Sequence, residues 1–133
     1  MSGGTSNEAR LTKAEYLKQA DAICAKYDAQ LKELPQPETL DALARMAESA
    51  KPIAANGVKE LRALRAPQEL EEKVDAWLDR NDANVDFIQR LHDAAADGDE
   101  TDVQKIAAEA ADNERQADLM AGALGLTDCA ISD

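Results

Sequence analysis

The chain has 133 residues, a formal charge of −12 and only four aromatic side chains, Tyr16, Tyr27, Trp77 and Phe87. That length suits one domain with a core of its own, and the charge argues against nucleic acid or an anionic membrane surface as a partner, because both call for a basic face. No apolar run approaches the ~18–20 residues that cross a bilayer, and no signal-peptide pattern is present.

The opening MSGGTSNEAR is small and polar. Residues 1–10 are therefore expected to be a disordered spacer, with a single helical domain over 11–133. The first predicted helix runs from Leu11 to Pro35. Thr12-x-x-Glu15 forms a capping box at its start. Tyr16, Leu17, Ala20, Ile23, Cys24, Tyr27, Leu31 and Leu34 then follow at steps of one, three or four, which is one helical stripe. Pro35 and Pro37 end it.

A second helix is predicted from about Glu38 to Leu64. Pro52 lies inside it, where a proline removes one backbone bond and clashes with the carbonyl of Glu48. A kink is expected there, or else two shorter helices broken at Lys51, and Asn56-Gly57 weakens the same region. Pro67 marks the first turn of a third helix reaching about Asp97, with Gly98 as its left-handed stop. A fourth runs from about Glu100 or Thr101 to Leu124, with Gly125 as its stop and Leu126 as the accompanying apolar contact. No strand pattern appears.

Four helices with short connections predict an all-α fold, an antiparallel up-down-up-down four-helix bundle. Its core of Leu, Ile, Val and Ala lets helices approach to the close end of the ~8–10 Å interaxial range. That leaves little room for a large cofactor, and none is expected.

Several residues stand out against this frame. Residues 12–66 hold eight acids against nine bases, whereas 67–124 hold sixteen against five. Much of the excess lies on the third helix, where Glu72, Asp75, Asp79, Asp82, Asp86, Asp93 and Asp97 step by three, four or seven. Asp75, Asp79, Asp82 and Asp86 are the candidate docking residues for a basic partner; otherwise the stripe is a solvated face. Asn81 and Asn84 fall where the third helix wants apolar residues, and Asn113 does the same on the fourth. Asn84 lies 14 residues before Gly98 and Asn113 lies 15 after it, so an antiparallel pair brings them to one height. Asn81 is level with Pro52 by the same count. These amides are expected to bond to one another and to carbonyls freed near Glu48, as a register device or as the lining of a small polar site.

His92 is the only histidine. It belongs to no Glu-x-x-His motif, since Gln89 stands three residues before it, and no turn presents a nucleophilic serine, so neither a metal centre nor a catalytic triad is expected. Cys24 and Cys129 have nothing of the C-x-x-C spacing. They are either a structural disulfide or two inert thiols.

LTKAEYLKQADAIC near the start and LGLTDC at the end resemble small exported or lipid-anchored helical proteins of uncharacterised function from high-GC Gram-positive bacteria. The resemblance covers about 20 residues at the two ends. It implies an extracytoplasmic location, secreted or lipid-anchored at the cell surface, and a cystine joining Cys24 to Cys129 that ties the tail to the first helix. It implies no activity. At 1.5 Å per residue, Leu124 lies about 39 Å from the Gly98 turn and Cys24 about 17 Å from the Pro35 turn. Both turns are at one end of the bundle, so such a bond requires the tail to fold back and the first helix to slide toward the other end.

The reading that follows is a non-catalytic extracytoplasmic binding or interaction module. Its rival is a small-ligand carrier, with a pocket between the helices near Pro52, Asn81, Asn84 and Asn113. A closed apolar cavity of about 300 Å³ or more favours the carrier, and a fully packed core favours a surface that docks a protein.

Overall fold

The structure is a computed structural model, described here for residues 10–130. The spacer read at residues 1–10 lies outside that range except for Arg10. That residue is held in place: its guanidinium donates to the Ala66 carbonyl at 2.8 Å and to Glu71 at 3.3 Å.

Four α-helices and no strand make up the described residues. The first, α1, spans Lys13–Lys32. The capping box is formed in both directions. Thr12 Oγ1 accepts from the Glu15 amide at 3.1 Å, and Glu15 Oε1 accepts from the Thr12 amide at 2.9 Å. Helix α2 spans Leu40–Ala63, with Thr39 Oγ1 accepting from the Ala42 amide at 3.0 Å.

Helix α2 runs through Pro52 as one continuous α-helix. The alternative of two helices divided at Lys51 does not occur. Pro52 is exposed, so the carbonyl it fails to satisfy lies on the solvent side, where water can serve. A 3-10 turn over Gln68–Leu70 follows Pro67, and helix α3 spans Glu71–Ala96. The α conformation thus begins four residues after the proline that was read as its first turn.

Helix α4 spans Glu100–Leu124 and is capped by Asp99, whose carboxylate accepts from the Asp102 amide at 3.0 Å. Two glycines close helices by the same device. Gly98 has φ +74° and Gly125 φ +96°. After Gly98, the Asp99 amide returns to the Ala94 carbonyl at 3.0 Å; after Gly125, the Leu126 amide returns to Ala121 at 2.9 Å. Both are six-residue closures that need a left-handed residue. Leu126 is then fully buried, as its place in that motif requires.

The helices form the expected antiparallel bundle, and its core is in two parts. One cluster, at the end that holds the start of α1 and the end of α4, gathers Tyr16, Ala20, Trp77, Ala121, Leu124 and Leu126. The other, at the opposite end, gathers Ala44, Ala94, Ala95, Val103 and Ile106. Its buried members come from α2, α3 and α4, with none from α1. Close backbone packing links α1 to α2, α2 to α3 and α3 to α4, but does not run along α1 and α4. The seam between the first and last helices is where the bundle stays open.

The tail bridges that seam. Gly125 abuts the Leu17 side chain, and the chain then turns back along α1 until Cys129 is bonded to Cys24, with Cα atoms 5.1 Å apart. Leu17 and Cys24 are seven residues apart, about 10 Å of helical rise. On the same rises Leu17 is about 27 Å from the Pro35 turn and Gly125 about 40 Å from the Gly98 turn. They nevertheless touch, so α1 is displaced toward the far end as the cystine requires. No helix among the described residues is long and apolar enough to cross a membrane.

Candidate functional site: a cleft at the open seam

Between the two core clusters lies an open-sided cavity of about 470 Å³. Its floor is formed by Val58 and Leu61 from α2 and by Trp77, Phe87, Ile88 and Leu91 from α3. Ile23, Tyr27 and Leu31 of α1 form one side wall; Ala107, Ala110, Ala111 and Ala117 of α4 form the other. Cys24 and Cys129 lie on its boundary, so the cystine is part of the wall. The lining is predominantly apolar.

The cavity exists because small side chains face a seam that is not closed. Alanines permit close helix approach only where a partner helix is present to use the space. Here α1 is displaced along its axis and leans on α2 instead. Its Tyr27 ring seats on Gly57, where a Cβ would lie 3.3 Å from the ring. Glu60 accepts from the Tyr27 hydroxyl and pairs with Lys26 at 3.0 Å. Bonding to Tyr27 and Lys26 holds the Glu60 carboxyl below the usual carboxylate range. The expectation that an alanine-rich core leaves little room between helices is therefore overturned on this side of the bundle.

The amide layer forms in part as read. Asn113 is buried, and its Nδ2 donates to Asn84 Oδ1 at 2.7 Å and to the Arg80 carbonyl at 2.9 Å. Arg80 donates back to Asn113 Oδ1 at 3.1 Å. Asn84 and Asn113 are thus at one height, joining α3 to α4. Asn81 takes another course: its Nδ2 donates to the Trp77 carbonyl of its own helix at 2.9 Å. A local partner four residues back is in reach without any matching of helices, so the expected link to the Glu48 region is replaced. Asn81 and Asn84 line the cavity, whereas Asn113 and Pro52 do not. Pro52 does not open the pocket, and the amide of Asn113 is spent on the helix pair.

The acidic residues of α3 lie elsewhere. Asp75, Asp79, Asp82 and Asp86 are all exposed. Arg62 reaches across from α2 to Asp79 at 3.1 Å and to Asp82 at 2.5 Å. His92 sits between α2 and α3. Its two ring nitrogens are each 3.0 Å from a carboxylate, Nδ1 from Asp93 and Nε2 from Glu48. Those two partners, Asp93 foremost, raise its pKa above the ordinary histidine value. Among the described residues, no group of three or more His, Cys, Asp or Glu side chains is placed to hold a metal ion.

Asp21 was missed by the sequence reading. Its Oδ1 accepts from the amides of Asp128 at 3.0 Å and Cys129 at 3.2 Å, fastening the returning tail. The signal was present: Asp21 lies three residues before Cys24, on the same helical face. The carboxylates of the cleft, Asp28, Glu114, Asp118 and Asp128, were missed as well, because they belong to one site only through the seam. Comparison with family models, with curated proteins and with solved structures returns no match for this chain.

Proposed function

We propose that this protein is a non-catalytic extracytoplasmic binding protein, secreted or lipid-anchored, that carries a small apolar ligand in the cleft between α1 and α4. The cavity of about 470 Å³ carries this reading. It lies within the ~300–1,000 Å³ range of small-molecule sites and has their usual makeup, an apolar lining with a few polar groups. The location rests on the resemblance of the two chain ends and on the cystine, since disulfides persist in oxidising compartments. The rival reading, a basic protein docked on α3, has less support, because Arg62 already occupies Asp79 and Asp82.

The test uses an uncharged fluorescent probe, N-phenyl-1-naphthylamine. The expected result is saturable emission enhancement at one probe per chain. It should be lost in Ala110→Phe, which places a ring in the cleft, while the far-ultraviolet spectrum stays helical. Emission that rises without saturation, or that is equal in the variant, contradicts the proposal.

A further inference from the structure

Two side chains on the cleft floor are amides with one end already bound. Trp77, Asn81, Asn84 and Ile88 follow one another on a single face of α3, and all four line the cavity. Asn81 and Asn84 are half-buried. A backbone carbonyl only accepts, so the Asn81 atom bonded to the Trp77 carbonyl at 2.9 Å is the nitrogen. Its oxygen is left over. Asn84 is fixed in the same way, through Asn113. The Asn113 nitrogen donates to the Arg80 carbonyl at 2.9 Å, and its oxygen accepts from the Arg80 guanidinium, a pure donor, at 3.1 Å. That same nitrogen reaches Asn84 at 2.7 Å, so the Asn84 atom that accepts it is the oxygen. Here the nitrogen is left over.

Among the described residues, neither the Asn81 oxygen nor the Asn84 nitrogen has a partner. Neither is sealed in the interior, where the Tyr16 hydroxyl is the one unpartnered side-chain polar atom of the described residues. Both open onto the cavity that their residues line. One acceptor and one donor thus stand side by side on an apolar floor, since residues three apart on a helix have Cβ atoms about 5–6 Å apart. Trp77 and Asn113 hold them in that order. Other polar groups of the lining are engaged elsewhere: Tyr27 by Glu60, Asp28 by Lys32 at 3.1 Å, and Glu114 and Asp118 by partners of their own.

We infer that the ligand of this cleft is neutral and carries a carboxamide-type head, which donates to the Asn81 oxygen and accepts from the Asn84 nitrogen while an apolar body fills the rest of the cavity. This rests on the binding reading above and adds to it the chemical class of the ligand. A primary carboxamide offers an N–H and a C=O together. A ketone offers only the acceptor and leaves the Asn81 oxygen unserved. An ammonium offers only donors and sets them against the Asn84 nitrogen. A site that hydrogen-bonds a ligand's head rejects the analogue lacking one partner more sharply than an apolar pocket rejects a missing methylene, because the deserted group stays desolvated.

Three probes with similar apolar bodies separate the possibilities: octanamide, its isostere methyl heptyl ketone, in which a methyl replaces the amide nitrogen, and octylamine. Trp77 is the sole tryptophan and lines the cavity, so its emission reports occupancy directly. The titrations are run at about 1 M salt, where the screening length falls to ~3 Å and the general attraction of an amine to an acidic chain is suppressed. Octanamide should bind about tenfold tighter than the ketone, although the ketone is the more apolar, and tighter than octylamine. Asn81→Leu removes the acceptor at a position in the apolar stripe of α3. It should lower the amide-over-ketone ratio about tenfold while the far-ultraviolet spectrum stays helical.

Equal or tighter binding of the ketone, tightest binding of the amine, or a ratio unchanged in Asn81→Leu overturns the assignment. If that variant fails to fold, the order of the three probes on the unaltered chain decides alone. Octanamide binding that persists in Ala110→Phe is surface adsorption and overturns it too. If none of the three perturbs Trp77 while N-phenyl-1-naphthylamine still saturates, the assignment falls and the cleft remains a general apolar site. Failure of that probe as well removes the binding reading itself.

Discussion

Asn113 and Tyr16 are buried side chains whose polar groups meet opposite fates. The Asn113 amide is fully engaged by Asn84 and Arg80. Asn113→Ala should cost ~1–3 kcal/mol, because it leaves the Asn84 oxygen and the Arg80 carbonyl without their donor. Urea denaturation measures that cost. The Tyr16 hydroxyl is buried with no hydrogen-bond partner among the described residues. Burial, and secondarily the Asp75 carboxylate, push its pKa up to about 12. Tyr16→Phe removes a hydroxyl that gains nothing in the fold, so stability should hold or rise by up to ~1 kcal/mol. A clear loss would mean that the hydroxyl has a partner. His92 makes a third residue-scale test. Both ring nitrogens face carboxylates, an arrangement that only the doubly protonated ring satisfies with two donors. Its raised pKa means that this contribution is fully present below the unfolded histidine pKa of ~6.5. It is lost as pH rises through the higher folded value. The ring-proton resonances should titrate above the unfolded value, and Glu48→Gln should lower the midpoint.

At the scale of elements, several helix ends were legible because each of these is decided by a few neighbouring residues. Thr12 with Glu15, Gly98 and Gly125 are local devices, and all three act where they were read, whereas the Thr39 cap of α2 was passed over. The Asn84–Asn113 pairing was legible because equal counts about one short turn fix relative height. Asn81 was not, because its own helix offers a carbonyl at Trp77. The alternative of a break at Lys51 failed because periodicity does not reveal that the donor missing at Pro52 faces water. The acidic face of α3 is an element-scale feature with a bland energetic consequence. Its pairs with Arg62 are exposed, and such pairs are typically worth no more than ~1 kcal/mol. Replacing Asp79, Asp82 and Asp86 together with Asn should therefore move the unfolding midpoint little. Severe unfolding would show that these carboxylates hold something the exposed geometry does not suggest.

For the whole molecule, the decisive feature is how α1 is attached. It leans on α2 through Tyr27 and Gly57, touches the end of α4 through Leu17 and Gly125, and is locked by the cystine. Cys24 and Cys129 are 105 residues apart in sequence, and closing a loop of about 100 residues stabilises by up to ~4.7 kcal/mol in the chain-entropy model. Reduction should lower the urea midpoint while leaving the helices largely formed. It should also weaken ligand binding, because the bond is part of the cleft wall. The cleft itself was not legible in the sequence. Ala107, Ala110, Ala111 and Ala117 read as a close-packing face, and only the displacement of α1 turns them into a cavity wall. The most direct test of that cavity as the binding site is a methyl-resolved NMR titration with decanol. Saturable shifts centred on Ile23, Ala54, Val58, Ile88 and Ala110 are predicted. Shifts centred on the Asp79–Asp86 face of α3, or none anywhere, would contradict it.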